Sequence, residues 1–204
     1  LMPPNRIHLS EFSLKLFKKK KGIIDVTIPN AIPSLFFEIP LKNKTDNRIL
    51  YLGIIDNNKN LLLTLKILKE LSTRGKIFTL DVMGGFSDKN YEFKIRDFIR
   101  SNELSKQVFF HGWVSRDAIA KQLELSDILI VSSLHESLPM AIAESMASGK
   151  VVIASSVGGI PEMFEDGKSG FLFSTNDFMK AVDILENLYN NHYMKKSRKH
   201  APKQ

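Results

Sequence analysis

The sequence predicts an α/β protein: a Rossmann-like parallel sheet of about six strands with helices on both faces, preceded by a short segment of different character. From Arg48 onward, short apolar runs alternate with stretches of helical period. The runs are nearly continuous in apolar residues, as in strands buried on both faces, rather than alternating as in a half-exposed antiparallel sheet. The stretch from Ile128 to Phe173 reads as strand, turn, helix, strand, glycine turn and strand. Ligands of open α/β sheets bind at such turns, at the carboxyl ends of strands.

Residues 1–47 hold apolar pieces cut by Pro3, Pro4, Pro29, Pro33 and Pro40. A helix-like patch covers Ser10 to Lys19, and a strand from Ile23 to Ile28 stops at Pro29-Asn30. This stretch is too short for a core of its own and reads as the end of something else, with Lys42 to Asn47 as a polar linker. From residue 48 to 204 a single domain is expected. Ile49 to Gly53 reads as a strand, Leu61 to Leu71 as an amphipathic helix and Ile77 to Met83 as a strand. Phe93, Ile95, Phe98 and Ile99 mark the next helix. Val108 to Phe110 is a strand, Asp117 to Leu125 a helix and Ile128 to Val131 a strand. The turn from His135 to Pro139 opens a central helix, with Pro139 at its first helical position. The strand Val151 to Ala154, the Gly158-Gly159 turn, a short helix after Pro161, the strand Gly170 to Phe173 and a helix from Asp177 to about Tyr193 complete the series.

Composition narrows the chemistry. With 204 residues, 43% apolar and 25% charged, the chain has the make-up of a globular domain. It has no cysteine, which excludes disulfides, thiol nucleophiles and cysteine-ligated metals. No apolar run approaches the roughly 20 residues of a membrane span, and the first residues lack a signal-peptide pattern, so a cytoplasmic location is expected. The net charge of +7 is partly local, in Lys18–Lys21 and in Lys195, Lys196, Arg198, Lys199 and Lys203. Such runs are solvated surface or attract an anionic membrane face. Nucleic acid is not expected as a partner, because no aromatics interleave the lysines.

The dinucleotide fingerprint G-x-G-x-x-G is absent: the first strand-to-helix turn, Gly53 to Lys59, has one glycine. Gly167-Lys168-Ser169 lacks the upstream glycine of a phosphate loop. There is no Asp-x-Asp pair and the five histidines are scattered, so no metal site is expected. What remains clusters at the carboxyl ends of the strands. The helix opening at Pro139-Met140-Ala141 offers free N–H groups and a positive dipole end to a diphosphate. Lys59 is placed to reach the same phosphates. Glu144 suits the two hydroxyls of a ribose, and Glu136 the hydroxyls of a sugar. Gly158-Gly159 would allow close approach of backbone to a ligand. Each feature has a plainer reading. Glu144 alone suits a helix surface, although Ile142, Ala143, Met146 and Ala147 around it mark a buried helix where a carboxylate is costly. His135 and Trp113 suit packing or turns, and Gly84-Gly85 suits a simple turn as well as a nucleotide contact.

Taken together, Leu134 to Gly149 (LHESLPMAIAESMASG), Val151 to Glu162, Asp166 to Phe173, Val108 to Val114, Ser126-Asp127 and Asp25 to Asn30 resemble the donor-binding domain of group 1 (family 4) retaining glycosyltransferases, which is one half of a GT-B fold. The resemblance runs from about Ile23 to the end of the chain. It implies Glu136 and Lys59 as catalytic residues, at the transferred sugar and the diphosphate. It implies Glu144 at the ribose and Ser137, Leu138, Pro139, Met140 and Ala141 along the diphosphate. Gly53 lies in the first loop, and the base lies near Gly84, Trp113 and the backbone from Gly112 to Val114. The donor is a nucleoside-diphosphate sugar of UDP or GDP type, used without metal or other cofactor, and the acceptor a glycan or lipid-linked molecule at the inner face of a membrane.

Two departures accompany it. Ile54 stands where the family usually has an arginine on the diphosphate. The acceptor domain of a GT-B enzyme is missing, residues 1–47 matching only its remnant and the interdomain linker, so a fragment that is inactive alone is expected. The leading expectation is the donor half of a hexosyl transferase in cell-surface polysaccharide or glycolipid synthesis. The alternative is a non-catalytic nucleotide-sugar binding module that needs a separate acceptor domain. A nucleotide-sugar epimerase of similar fold is the third.

Overall fold

The computed structural model describes residues 5–17, 23–41 and 46–191. The lysine run at 18–21, residues 42–45 of the expected linker and the basic tail lie outside them. Eight strands and six helices follow in chain order among the described residues: β1 (Asn5–His8), α1 (Glu11–Lys15), β2 (Ile24–Thr27), β3 (Arg48–Leu52), α2 (Leu61–Thr73), β4 (Thr79–Met83), α3 (Lys89–Ser101), β5 (Val108–Gly112), α4 (Arg116–Leu125), β6 (Ile128–Val131), α5 (Met140–Ala147), β7 (Val151–Ser155), β8 (Phe171–Phe173) and α6 (Met179–Asn191). Six of the strands form one parallel sheet in the order β5-β4-β3-β6-β7-β8. β1 and β2 pair in parallel as a separate two-stranded sheet.

Strand periodicity sorts the side chains into two cores. Ile49, Tyr51, Val151 and Ile153 point to the face covered by α2, α3 and α6. Their neighbours Leu50, Val152 and Ala154 point to the face covered by α4 and α5. A register slip of one residue would exchange these sets, so burial on both faces holds each strand in place. Asp88 and Ser115 start α3 and α4 by accepting hydrogen bonds from the N–H groups of Tyr91 (2.6 Å) and Ala118 (3.3 Å).

The elements follow the sequence expectation with local differences. β4 begins at Thr79, and Ile77 lies outside it, exposed. The short helix after Pro161 is a single 3₁₀ turn, Ile160–Glu162. Pro139 is the N-cap of α5 rather than its first helical residue; its extended ψ of 120° turns the chain into the helix. The stretch before residue 48 also contributes to the core. Phe36, in a 3₁₀ turn at Ser34–Phe36, is completely buried in the α4–α5 core, with Ile32, Leu35 and Ile39 packed around it. The prolines that interrupt this segment shape it for packing on the sheet.

Three strands are also joined through one buried carboxylate. Asp81, in the middle of β4, has a side chain 1% exposed. It accepts hydrogen bonds from Arg48 Nη2 on β3 (2.8 Å) and His111 Nε2 on β5 (2.8 Å). A buried carboxylate in a parallel sheet is tolerated because both neighbouring strands supply a donor. Asp81→Ala leaves both donors without their acceptor, and, because they are partly exposed, the loss in urea unfolding is expected at the lower end for buried pairs, about 3 kcal/mol.

Candidate functional site

β3 and β6 lie side by side, but the chain leaves β3 toward α2 on one face and β6 toward α5 on the other. A crevice opens at such a reversal, beyond the carboxyl ends of the strands. Two loops form its walls: residues 53–60 after β3 and residues 132–139 after β6.

The loops are tied to each other. The Leu134 N–H donates to Asn58 O at 2.7 Å, and Asn58 Nδ2 donates to His135 O at 3.1 Å. Ser132 Oγ donates to Asn60 O at 2.9 Å and lies 2.9 Å from Thr64 Oγ1 at the start of α2. Within the first loop, Asp56 Oδ1 accepts from the Lys59 N–H at 2.7 Å and shapes the turn. Lys59 Nζ thereby reaches Glu136 Oε1, and the two form an ion pair. Ser133 Oγ donates to the same carboxylate oxygen at 2.8 Å.

The glycines have a role other than the one read from sequence. A β-carbon on Gly158 would collide with the carbonyl of Glu136, and one on Gly159 with that of Ser137. The Gly159 N–H donates to Glu136 O at 3.2 Å. This pair therefore packs against protein backbone and fixes the Glu136 turn. Gly84, with φ of 142°, lies against the Gly53 carbonyl in the same way, and Gly85 lies under the indole of Trp113.

A cavity of about 260 Å³ lies between the loops and α5. Gly53, Lys59, Glu136, Pro139, Met140, Ala141 and Glu144 line it, so seven of the residues singled out from sequence meet in one place. Ser137, Leu138, Gly84 and Trp113 do not line it. Ser137 supports Gly159, and Leu138 faces a second, apolar cavity of about 400 Å³ on the other flank of α5. Gly84 lies behind Gly53. Trp113 lies in the bend after β5, 71% exposed, with its indole over Gly85.

Glu144 is the unusual group. It is 7% exposed, and among the described residues its carboxylate has no hydrogen-bond or ion-pair partner. Burial holds its pKa above the ordinary carboxylate value, and the nearby charge of Arg116 offsets this only in part. A buried carboxylate facing a cavity without a donor is suited to a ligand that brings donors. Next to it the N–H groups of Met140 and Ala141, in the first turn of α5, have no intrahelical acceptor and point their positive dipole end at the cavity. Tyr51, Ile119, Ser133 and Arg116 also belong to the site and were not singled out from sequence. Ser133 was legible, three residues before Glu136; Arg116 was not, because only the packing of α4 over β3 brings it near α5.

The geometry can be set beside known proteins. The family model described as glycosyl transferases group 1 matches residues 34–204. The chain is 32% identical over 130 residues to a lipopolysaccharide 1,2-N-acetylglucosaminetransferase of Salmonella typhimurium, covering 60% of this chain and 34% of that protein. It is 29% identical over 144 residues to the amylovoran biosynthesis glycosyltransferase AmsK of Erwinia amylovora, covering 68% and 35%. The chain thus spans about a third of the length of these curated relatives. Its fold is similar to that of S. aureus TarM, solved with fondaparinux, alpha-GlcNAc-glycerol and UDP, with a TM-score of 0.80 and 22% identity over 95% of this chain and 39% of that one.

The raised pKa of Glu144 has a stability consequence. The folded state holds this proton at a pH where the unfolded chain has released it, so stability falls as pH rises from the ordinary carboxylate value through the raised one. Glu144→Gln is expected to raise Tm at pH 7 relative to the parent, and the gain to disappear below about pH 4, where both forms are neutral. Thermal unfolding of both proteins across that range measures it.

Proposed function

The chain belongs to the group 1 glycosyl transferases, and on that premise we propose that its cavity binds the donor of a hexosyl transfer, a nucleoside-diphosphate sugar. Glu144 carries the reading. Its carboxylate can accept hydrogen bonds from both ribose hydroxyls, which supply the donors it lacks in the protein. The diphosphate lies along the first turn of α5, against the N–H groups of Met140 and Ala141, with Lys59 as its counter-charge. Glu136 takes hydroxyls of the sugar. The base extends past Gly53 toward Gly84 and the exposed indole of Trp113.

Transfer breaks the bond between the sugar's anomeric carbon and the diphosphate, and negative charge grows on the departing oxygen. Lys59 and the α5 dipole face that charge from fixed positions, so the protein supplies stabilisation itself and we propose a metal-independent reaction. In the retaining course we propose, the acceptor hydroxyl attacks from the face the diphosphate leaves, its oxygen bonding to the anomeric carbon while its proton passes to the departing diphosphate oxygen. The acceptor, a glycan or lipid-linked molecule at the inner face of a membrane, is held by a domain outside residues 48–204, and without it the chain binds donor and transfers nothing. Among the described residues no helix is long and apolar enough to cross a membrane. Membership among enzymes such as those named for lipopolysaccharide and amylovoran supports a place in cell-surface polysaccharide or glycolipid synthesis.

A non-catalytic donor-binding module is the second reading, favoured by Ile54. This residue is 43% exposed beside the cavity, where a charged side chain would reach the diphosphate. Supplying the acceptor domain and assaying sugar transfer separates the two readings.

Ligand-observed NMR with UDP, GDP, ADP and their hexosyl derivatives tests the donor site. One nucleoside diphosphate is expected to bind, and Glu144→Ala to weaken it at least about tenfold, the value of one charge-assisted hydrogen bond or more. Binding of no nucleotide to the folded chain would refute the donor site. Ile54→Arg adds a charge-assisted contact and is expected to strengthen binding about tenfold in the same titration.

A further inference from the structure

Lys59 and Glu136 hold each other across the cavity. On the donor reading they serve different parts of the ligand, the lysine the diphosphate and the glutamate the sugar. Phosphate oxygens then compete with Glu136 for the Lys59 ammonium, and sugar hydroxyls compete with Lys59 for the carboxylate. The geometry points to Glu136 as the residue that distinguishes the sugar-bearing nucleotide from the bare nucleoside diphosphate left after transfer, an inference that rests on the donor reading of the cavity.

The pair is built into the fold. The loop of Lys59 is tied to the turn of Glu136 through Asn58, Leu134 and His135, and Gly158-Gly159 lock that turn from below. The Glu136 side chain is nearly buried, so bulk water and salt do little to screen its charge. A diphosphate entering at the start of α5 competes with Glu136 for the Lys59 ammonium. Once that cation turns to phosphate, the carboxylate keeps the Ser133 hydroxyl as its remaining donor among the described residues. A buried carboxylate that loses its counter-charge is costly to keep. Sugar hydroxyls restore the missing donors; a bare diphosphate has none to offer there. Glu136 therefore lowers affinity for the product, through its hold on Lys59, and is compensated only by the substrate. The exchange needs no movement of the backbone, because the side chains involved already share the cavity.

Isothermal titration of the full chain with UDP, UDP-glucose, UDP-N-acetylglucosamine, GDP and GDP-mannose tests this. The parent is expected to bind the preferred hexosyl nucleotide about tenfold more tightly than the matching diphosphate. Glu136→Gln removes the charge that competes for Lys59 and is expected to tighten the bare diphosphate about tenfold while the advantage of the sugar disappears. Ser133→Ala, which leaves the carboxylate in place, is expected to lower the affinity for the bare diphosphate further, because the displaced carboxylate then has no donor. An unchanged or weaker diphosphate affinity in a folded Glu136→Gln protein overturns the proposal while the donor reading stands. Binding of none of the five nucleotides to the parent overturns both.

Discussion

The hydrogen bonds that tie the loop after β3 to the turn after β6 are the constraint on which the site depends. Neither loop is long, and neither could hold a charged side chain in a fixed place by itself. Joined through Asn58, Leu134 and His135, and anchored by Ser132 to the start of α2, they bring Lys59 and Glu136 into contact across 77 positions of sequence. The sheet makes this tie available, because β3 and β6 are adjacent although three helices and two strands separate them in the chain. The covering helices differ in kind. α2 is packed into the core along most of its length, whereas α5 buries one side and turns Glu144 and its first-turn N–H groups to the cavity.

Glycine serves backbone against backbone here. Gly84 rests on Gly53, Gly158 on Glu136 and Gly159 on Ser137, each at a distance that excludes a β-carbon. Such contacts bring successive strand-end loops closer than side chains permit, which draws the rim of the site together. Gly159 also lies beside the Ser10 hydroxyl at the start of α1, so the unit of β1, α1 and β2 touches the loop that supports Glu136. The site is therefore in contact with the segment before the main sheet as well as with the sheet.

Glu144 and Asp81 show two ways of burying a carboxylate. Asp81 is paired on both sides by neighbouring strands and serves the fold. Among the described residues Glu144 has no such partner; it faces a cavity, and burial holds its pKa above the ordinary value, a cost to the folded state. Local instability of this kind is characteristic of positions kept for a ligand.

The α/β class, the order of the elements and the group of Lys59, Glu136, Pro139, Met140, Ala141 and Glu144 were legible in the sequence. Strand and helix periods are local properties, and a turn between a strand and a helix at the carboxyl edge of a sheet has one place to be. The sequence could not show that Phe36 belongs to the core, because Pro33 and Pro40 cut its apolar stretch too short for a period to be read. Nor could it show that Trp113 is exposed, or that Leu138 faces a second cavity and not the one lined by Lys59 and Glu136; those depend on how α4, α5 and the preceding segment pack together. It showed that Lys59 and Glu136 both belong to the site but not that they hold each other. Contact between side chains so far apart in the chain is decided by the order of strands in the sheet and by the closeness of the loops above it, and both arise only when the chain has packed.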